Sequence, residues 1–359
     1  TQDEQLKLTP LQWAARYNEK KAADVLLGHG ANLDVFTASA HYRTGSMVGT
    51  ATVTPGNVYN NSVKNFDSIY GFATGGGANA RANLYDSNGN DFFVAKPGIS
   101  GAAQSYMTRV SGGSGPWAYL YAGVGFVNVY GYATAGGTDE AVLNGSDGDD
   151  TFRADPAQYR AYLTRPGGNF ILALNFKKVT AYPGAGTNDQ AYLFGTTGND
   201  TFTATPTQSQ MTGPVPLFPP GVTYLNIAGT LSGQTWDKVY AFGYDYTQQA
   251  IPGYDKAYLT GSTGDDTFTG VGTPRTTYPS GMGPGYSKLT GAGYLIQTAA
   301  FKEVYANLRT GNKDVANLYD STGAGTDTFW GNLHDAVLSD GTLDLANGNL
   351  LAAAGYYYR

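Results

Sequence analysis

The chain has 359 residues, with 50 glycines, about twice ordinary usage, and only 14% charged residues. Aromatics reach 13% and 28 residues are tyrosine, a composition opposed to intrinsic disorder. A net charge of −6 argues against nucleic acid as a partner, and the absence of cysteine excludes disulfides, thiolate metal sites and cysteine nucleophiles.

From the N-terminus, the first distinct segment runs Thr9-Pro10-Leu11-Gln12-Trp13-Ala14-Ala15 and then Leu26-Leu27-Gly28-His29-Gly30-Ala31. It resembles a single ankyrin repeat, with Gln12, Asn18 and Ala23 departing from that family's His, Gly and Val. The resemblance implies an α-helical cap over residues 1–38. Such a unit either covers the first edge of the repeat region after it or ends an ankyrin array that binds a protein partner.

Residues 39–359 are repetitive. An aromatic, then Val or Ile three residues on, opens five copies: Phe66-Asp-Ser-Ile69, Phe126-Val-Asn-Val129, Phe176-Lys-Lys-Val179, Trp236-Asp-Lys-Val239 and Phe301-Lys-Glu-Val304. Each is followed by an Ala-x-Leu pair, ending at Leu84, Leu143, Leu193, Leu259 and Leu318. A glycine-rich acidic turn and a phenylalanine come next, at Phe93, Phe152, Phe202, Phe268 and Phe329. A looser half then carries Met107-Thr108, Leu163-Thr164, Met211-Thr212 and Leu289-Thr290.

Short alternating segments between Gly, Asn, Asp, Ser and Pro turns are strands. A tight half of about 27 residues and a loose half of 24 to 34 are each the size of one β-helix coil. The expectation is therefore an all-β solenoid, a parallel β-helix of about ten coils in five two-coil repeats. Tyr70, Tyr130, Tyr240 and Tyr305 share one slot that alternation points outward, as one stacked ladder.

The turn Gly145-Ser-Asp-Gly-Asp-Asp-Thr-Phe152 resembles the nonapeptide of hemolysin-type (RTX) repeats, in which Asp side chains and turn carbonyls hold calcium. The resemblance implies Asp91, Asp150, Asp200, Asp266 and Asp327 as calcium ligands, with Asp149 and Asp265 beside two of them. Asp139 and Asp189, two residues before an Ala-x-Leu strand, join the same candidate set. The other reading makes these acids turn formers that cap backbone N–H groups, with no cofactor required.

The whole pattern resembles large bacterial surface proteins built from Gly/Thr-rich β-helical repeats. That implies a non-enzymatic structural or adhesive rod at the cell surface or outside the cell, part of a fibre. The final residues 355–359 lead to where a sixth copy would start, so end-to-end self-association or continuation in a longer chain is expected, with surface glycans as further partners. A carbohydrate-active enzyme on the same fold is the second reading, and an ankyrin-led protein-binding module the third. No run approaches the ~18 apolar residues of a membrane helix, so membrane insertion is not expected.

Overall fold

The computed structural model describes residues 44–50, 58–64, 68–73, 80–96, 104–109, 120–214, 223–244, 253–271, 286–308, 313–319, 327–331, 335–340 and 350–354. The ankyrin-like segment lies outside them. The described residues are all-β, with two short 3-10 turns and no α-helix. Two long mixed sheets, of 14 and 11 strands, hold every strand except a separate hairpin, Thr44–Thr50 with Val58–Lys64.

Every repeat has five strands, which in the second copy are Asn128–Tyr132, Glu140–Asn144, Thr151–Asp155, Arg160–Thr164 and Phe170–Leu174. The first strand lies in one sheet, the second in the other, and the third to fifth return to the first sheet. The next repeat starts in the opposite sheet, so consecutive copies exchange faces. One pairing rule covers all five copies. The first strand pairs in parallel with the fifth strand of its own repeat. The second pairs with the first strand of the next repeat, and the third with the second strand of the next.

That rule explains the sequence motifs. Inward positions of three adjacent strands, drawn from three successive repeats, read Phe152–Ala191–Val239 in one row and Ala154–Leu193–Ala241 in the next. Large sits beside small in both rows, which lets the layers interlock at interior density. The same rows recur as Phe93–Ala141–Val179 and Phe202–Ala257–Val304. Phe93, Phe152, Phe202 and Phe268 are completely buried, each worth roughly 2–3 kcal/mol. Gly131 replaces the small Ala of its slot because the Phe93 ring, from the other sheet, stands 2.5 Å from where a Cβ would be.

The first three strands do pair in parallel between repeats, but each with a different strand of its neighbour and never with its own equivalent, as the stacked coils of a parallel β-helix would require. The loose half is not a second coil: its strands form an antiparallel meander, as in Thr151–Asp155, Arg160–Thr164 and Phe170–Leu174. In the second copy the connecting turns are short and carry positive φ at Tyr159 (54°), Gly167 (78°) and Gly168 (80°). Neighbouring strands of one sheet joined so briefly can only run antiparallel.

The tyrosine slot divides because consecutive copies exchange sheets. Tyr70 and Tyr305 face out from the larger sheet, Tyr130 and Tyr240 from the smaller. Rather than stacking on one another, Tyr240 stacks on Tyr192 (4.9 Å between centroids) and Tyr305 on Tyr258 (5.1 Å).

Candidate functional site

The acidic turns form one recurring constellation. Its motif is Ser/Thr, any residue, Gly, Asn or Asp, then Asp, as in Ser146-Asp147-Gly148-Asp149-Asp150. The last carboxylate folds back on the residue four earlier. Asp150 accepts the Ser146 N–H at 2.6 Å and its Oγ–H at 3.0 Å. The Thr196 N–H to Asp200 and Ser262 N–H to Asp266 bonds are also 2.6 Å, and Ser87 N–H to Asp91 is 3.0 Å. The hydroxyl in turn accepts the glycine N–H, at 3.0 Å in both Thr196–Gly198 and Ser262–Gly264. This is a local turn device of the kind Ser, Asp and Gly favour.

The residue before the Ser/Thr is Gly145, Gly195 or Gly261 in the middle copies, where a Cβ would stand 2.4, 2.7 and 2.5 Å from the Asp carboxylate. In the first copy the slot holds Asp86, whose carboxylate accepts the Ala135 N–H at 2.8 Å.

The acids before the Ala-x-Leu strands tie one repeat to the previous one. Asp139 accepts the Asp91 N–H (2.8 Å), Asp189 that of Asp150 (2.7 Å), Asp255 that of Asp200 (2.7 Å) and Asp314 that of Asp266 (2.9 Å). Asp149 accepts the Thr187 and Asn188 N–H groups, and Asp265 that of Lys313. Asn90 and Asn199 hold the equivalent place in the other copies and accept the N–H of Thr138 and Tyr254. All of these acids thus satisfy backbone donors, mostly across a repeat boundary. The side chain of Asp327 is outside the described residues.

Burial governs the electrostatics. Desolvation pushes Asp139, Asp189 and Asp200 up to about 6, against the stabilising N–H bonds each receives. Asp255 is pushed up to about 8, chiefly by burial, with the Asp200 charge adding to the shift and Lys302 opposing it. Asp189 Oδ2 and Asp255 Oδ2 are buried without a hydrogen-bond partner.

Several members of the constellation are not apparent from the sequence. Tyr224 donates its hydroxyl to Asp200 (3.1 Å) and Tyr294 to Asp266 (2.8 Å), so burial and an adjacent carboxylate both raise these phenols. They come from the fifth strands, 24 and 28 residues downstream of their acids, beyond any local motif. Asp237 accepts the Asp189 N–H at 2.8 Å. The detectable signal is the Ser/Thr four residues before each motif Asp.

As a cation site the set is uneven. Among the described residues, one group of three acids, Asp86, Asp91 and Asp139, brings an oxygen from each within 4.8 Å of the others. That is where a divalent ion would find three carboxylates. In the next three copies glycine takes the Asp86 place, which leaves two acids against the six to eight oxygens that calcium takes.

Among the described residues no helix is long and apolar enough to cross a membrane. Comparison of the chain with known protein families, with curated proteins and with solved structures finds no match.

Proposed function

We propose that the chain is a non-enzymatic structural or adhesive rod, a β-solenoid in which each repeat winds between two sheets and hands its edges to the next. The observation that carries this reading is the single strand-pairing rule kept by all five copies. A fold that repeats one interface has a length set by repeat number, which is what a spacer or fibre segment uses. A location outside the cell or at a bacterial surface, and end-to-end assembly through unpaired edge strands, belong to the same proposal.

Deletion of residues 126–175, the second repeat, tests it. Consecutive copies differ by an exchange of sheets, so the downstream repeats can take the vacated register. Each repeat adds five strands over two sheets, so the maximum dimension in small-angle scattering should fall by about 12 Å at ~4.8 Å per strand. The variant should still melt in one cooperative step. An unfolded variant, or one of unchanged length, would refute the modular rod.

In this reading the turn acids serve as hydrogen-bond acceptors between repeats. The melting temperature should then be the same, within about 1 °C, in millimolar calcium and in excess chelator. A rise of several degrees with calcium would assign the Asp86, Asp91 and Asp139 group, and its weaker copies, to the metal instead.

A further inference from the structure

The outer faces of the two sheets differ in charge. On the larger sheet, the charged strand residues with described side chains that face outward are Glu140, Lys178, Lys256 and Glu303. They cancel in two cross-strand ion pairs, Lys178–Glu140 and Lys256–Glu303, both at 2.9 Å. On the smaller sheet, the outward positions hold Arg81, Arg153, Arg160, Lys238 and Lys288 against one acid, Asp155, which Arg160 approaches at 3.6 Å. A chain of net charge −6 therefore collects an excess of cations on one flat face. The exposed acids Asp147, Asp149 and Asp265 stay in turns at the strand ends.

The cations are interleaved with rings. Arg81 lies over Tyr130 at 5.3 Å, Arg160 over Tyr162 at 5.9 Å and Arg153 over Tyr192 at 5.3 Å. Strand order sets Tyr130, Tyr162 and Tyr192 two strands apart in turn along a single row. At ~4.8 Å per strand the rings recur about every 10 Å, close to the length of one disaccharide in an extended β-linked glycan. Rings match the C–H faces of sugars, and the guanidinium groups between them match carboxylates bidentately.

We infer that the outer face of the smaller sheet binds a linear acidic polysaccharide of the uronate class, lying along the Tyr130–Tyr162–Tyr192 row. This names the ligand for the adhesive part of the function proposed above. The rod is tested separately by its length, so failure to bind glycan leaves that reading standing.

The test is affinity electrophoresis of the full chain in gels containing poly-β-1,4-mannuronate, a β-linked polyuronate, with neutral dextran as control. Polymannuronate should retard the chain, dextran should not, and retardation should weaken with salt. Arg81→Gln with Lys238→Gln should reduce affinity at least tenfold. The same charge change on the other sheet, Lys178→Gln with Lys256→Gln, should alter it less than twofold. Tyr192→Asn with Tyr240→Thr places residues that equivalent repeat positions already carry, Asn83 and Thr180, and should also cost about tenfold with unchanged melting.

No retardation by polymannuronate overturns the inference. Equal losses from the two charge pairs overturn its placement. Binding of duplex DNA or anionic vesicles as tightly as polymannuronate, indifferent to the tyrosine changes, overturns the sugar assignment.

Discussion

Asp255→Asn is expected to raise stability at pH 7.5, whereas Asp200→Ala is expected to lower it by about 3 kcal/mol or more. The two acids are hydrogen-bonded to each other and differ in what they satisfy. Asp200 accepts the Thr196 N–H and the buried Tyr224 hydroxyl, so its loss strands two donors, while the Thr196 hydroxyl keeps the Pro214 carbonyl as an acceptor. Asp255 accepts the Asp200 N–H through Oδ1, while its Oδ2 is buried and unpartnered. Asparagine keeps that acceptor and removes the buried charge.

Burial of these carboxylates also fixes the sign of the pH dependence. Asp255 is raised to about 8 and Asp139, Asp189 and Asp200 to about 6, from 3.8. The folded state therefore holds protons that the unfolded chain has released. Stability is lowest above pH 8, rises as pH falls through 8 and then 6, and is fully gained below about 4. A tenfold difference in proton affinity between the folded and unfolded states is about 1.4 kcal/mol, so the wild-type chain should gain several kcal/mol between pH 8 and 5. Urea unfolding at pH 5, 6, 7 and 8 measures this, and Asp255→Asn should flatten the upper part of the curve. A wild-type stability that rises with pH would refute the burial of these carboxylates as charged groups.

The strands themselves are legible in the sequence because their motifs are packing motifs. Ala-x-Leu, Val-x-Ala and Phe-x-Ala are three strand motifs whose large and small residues meet in two rows, and each can be read without knowing its neighbour. The exchange of sheets is not legible, since a repeat reads identically in either sheet. Sequence alone therefore puts Tyr130 and Tyr240 in one ladder with Tyr70 and Tyr305. The loose half reads as a coil because strand length fits a coil as well as a meander. In the second copy what decides it is left-handed backbone at Tyr159 and Gly167, and only the glycine hints at that in sequence. The acids look solvated because turns usually are. Their burial depends on Gly145, Gly195 and Gly261 making room, and on hydroxyls that arrive from strands far along the chain.

Substituting Phe152 and Trp236 by alanine, singly and together, should show a coupling of about 1 kcal/mol beyond additivity. Each single change should cost about 3–5 kcal/mol, since both side chains are buried. The residues belong to repeats two and four, yet their rings stand 6.0 Å apart. Phe93 meets Phe176 at 5.7 Å and Phe202 meets Phe301 at 6.1 Å, again skipping one repeat. The cause is the strand order, in which three successive copies supply three adjacent strands of one sheet. Phe152 with Phe301, two rings that no such contact joins, should be additive within about 0.5 kcal/mol. In an ordinary solenoid each repeat touches only its neighbours and can peel away singly. Here the removal of one copy exposes the core aromatic of the copy two places before it, so unfolding should be cooperative over at least three repeats. Coupling confined to adjacent copies would show that the rings contribute only burial, and that the sheets carry the cooperativity alone.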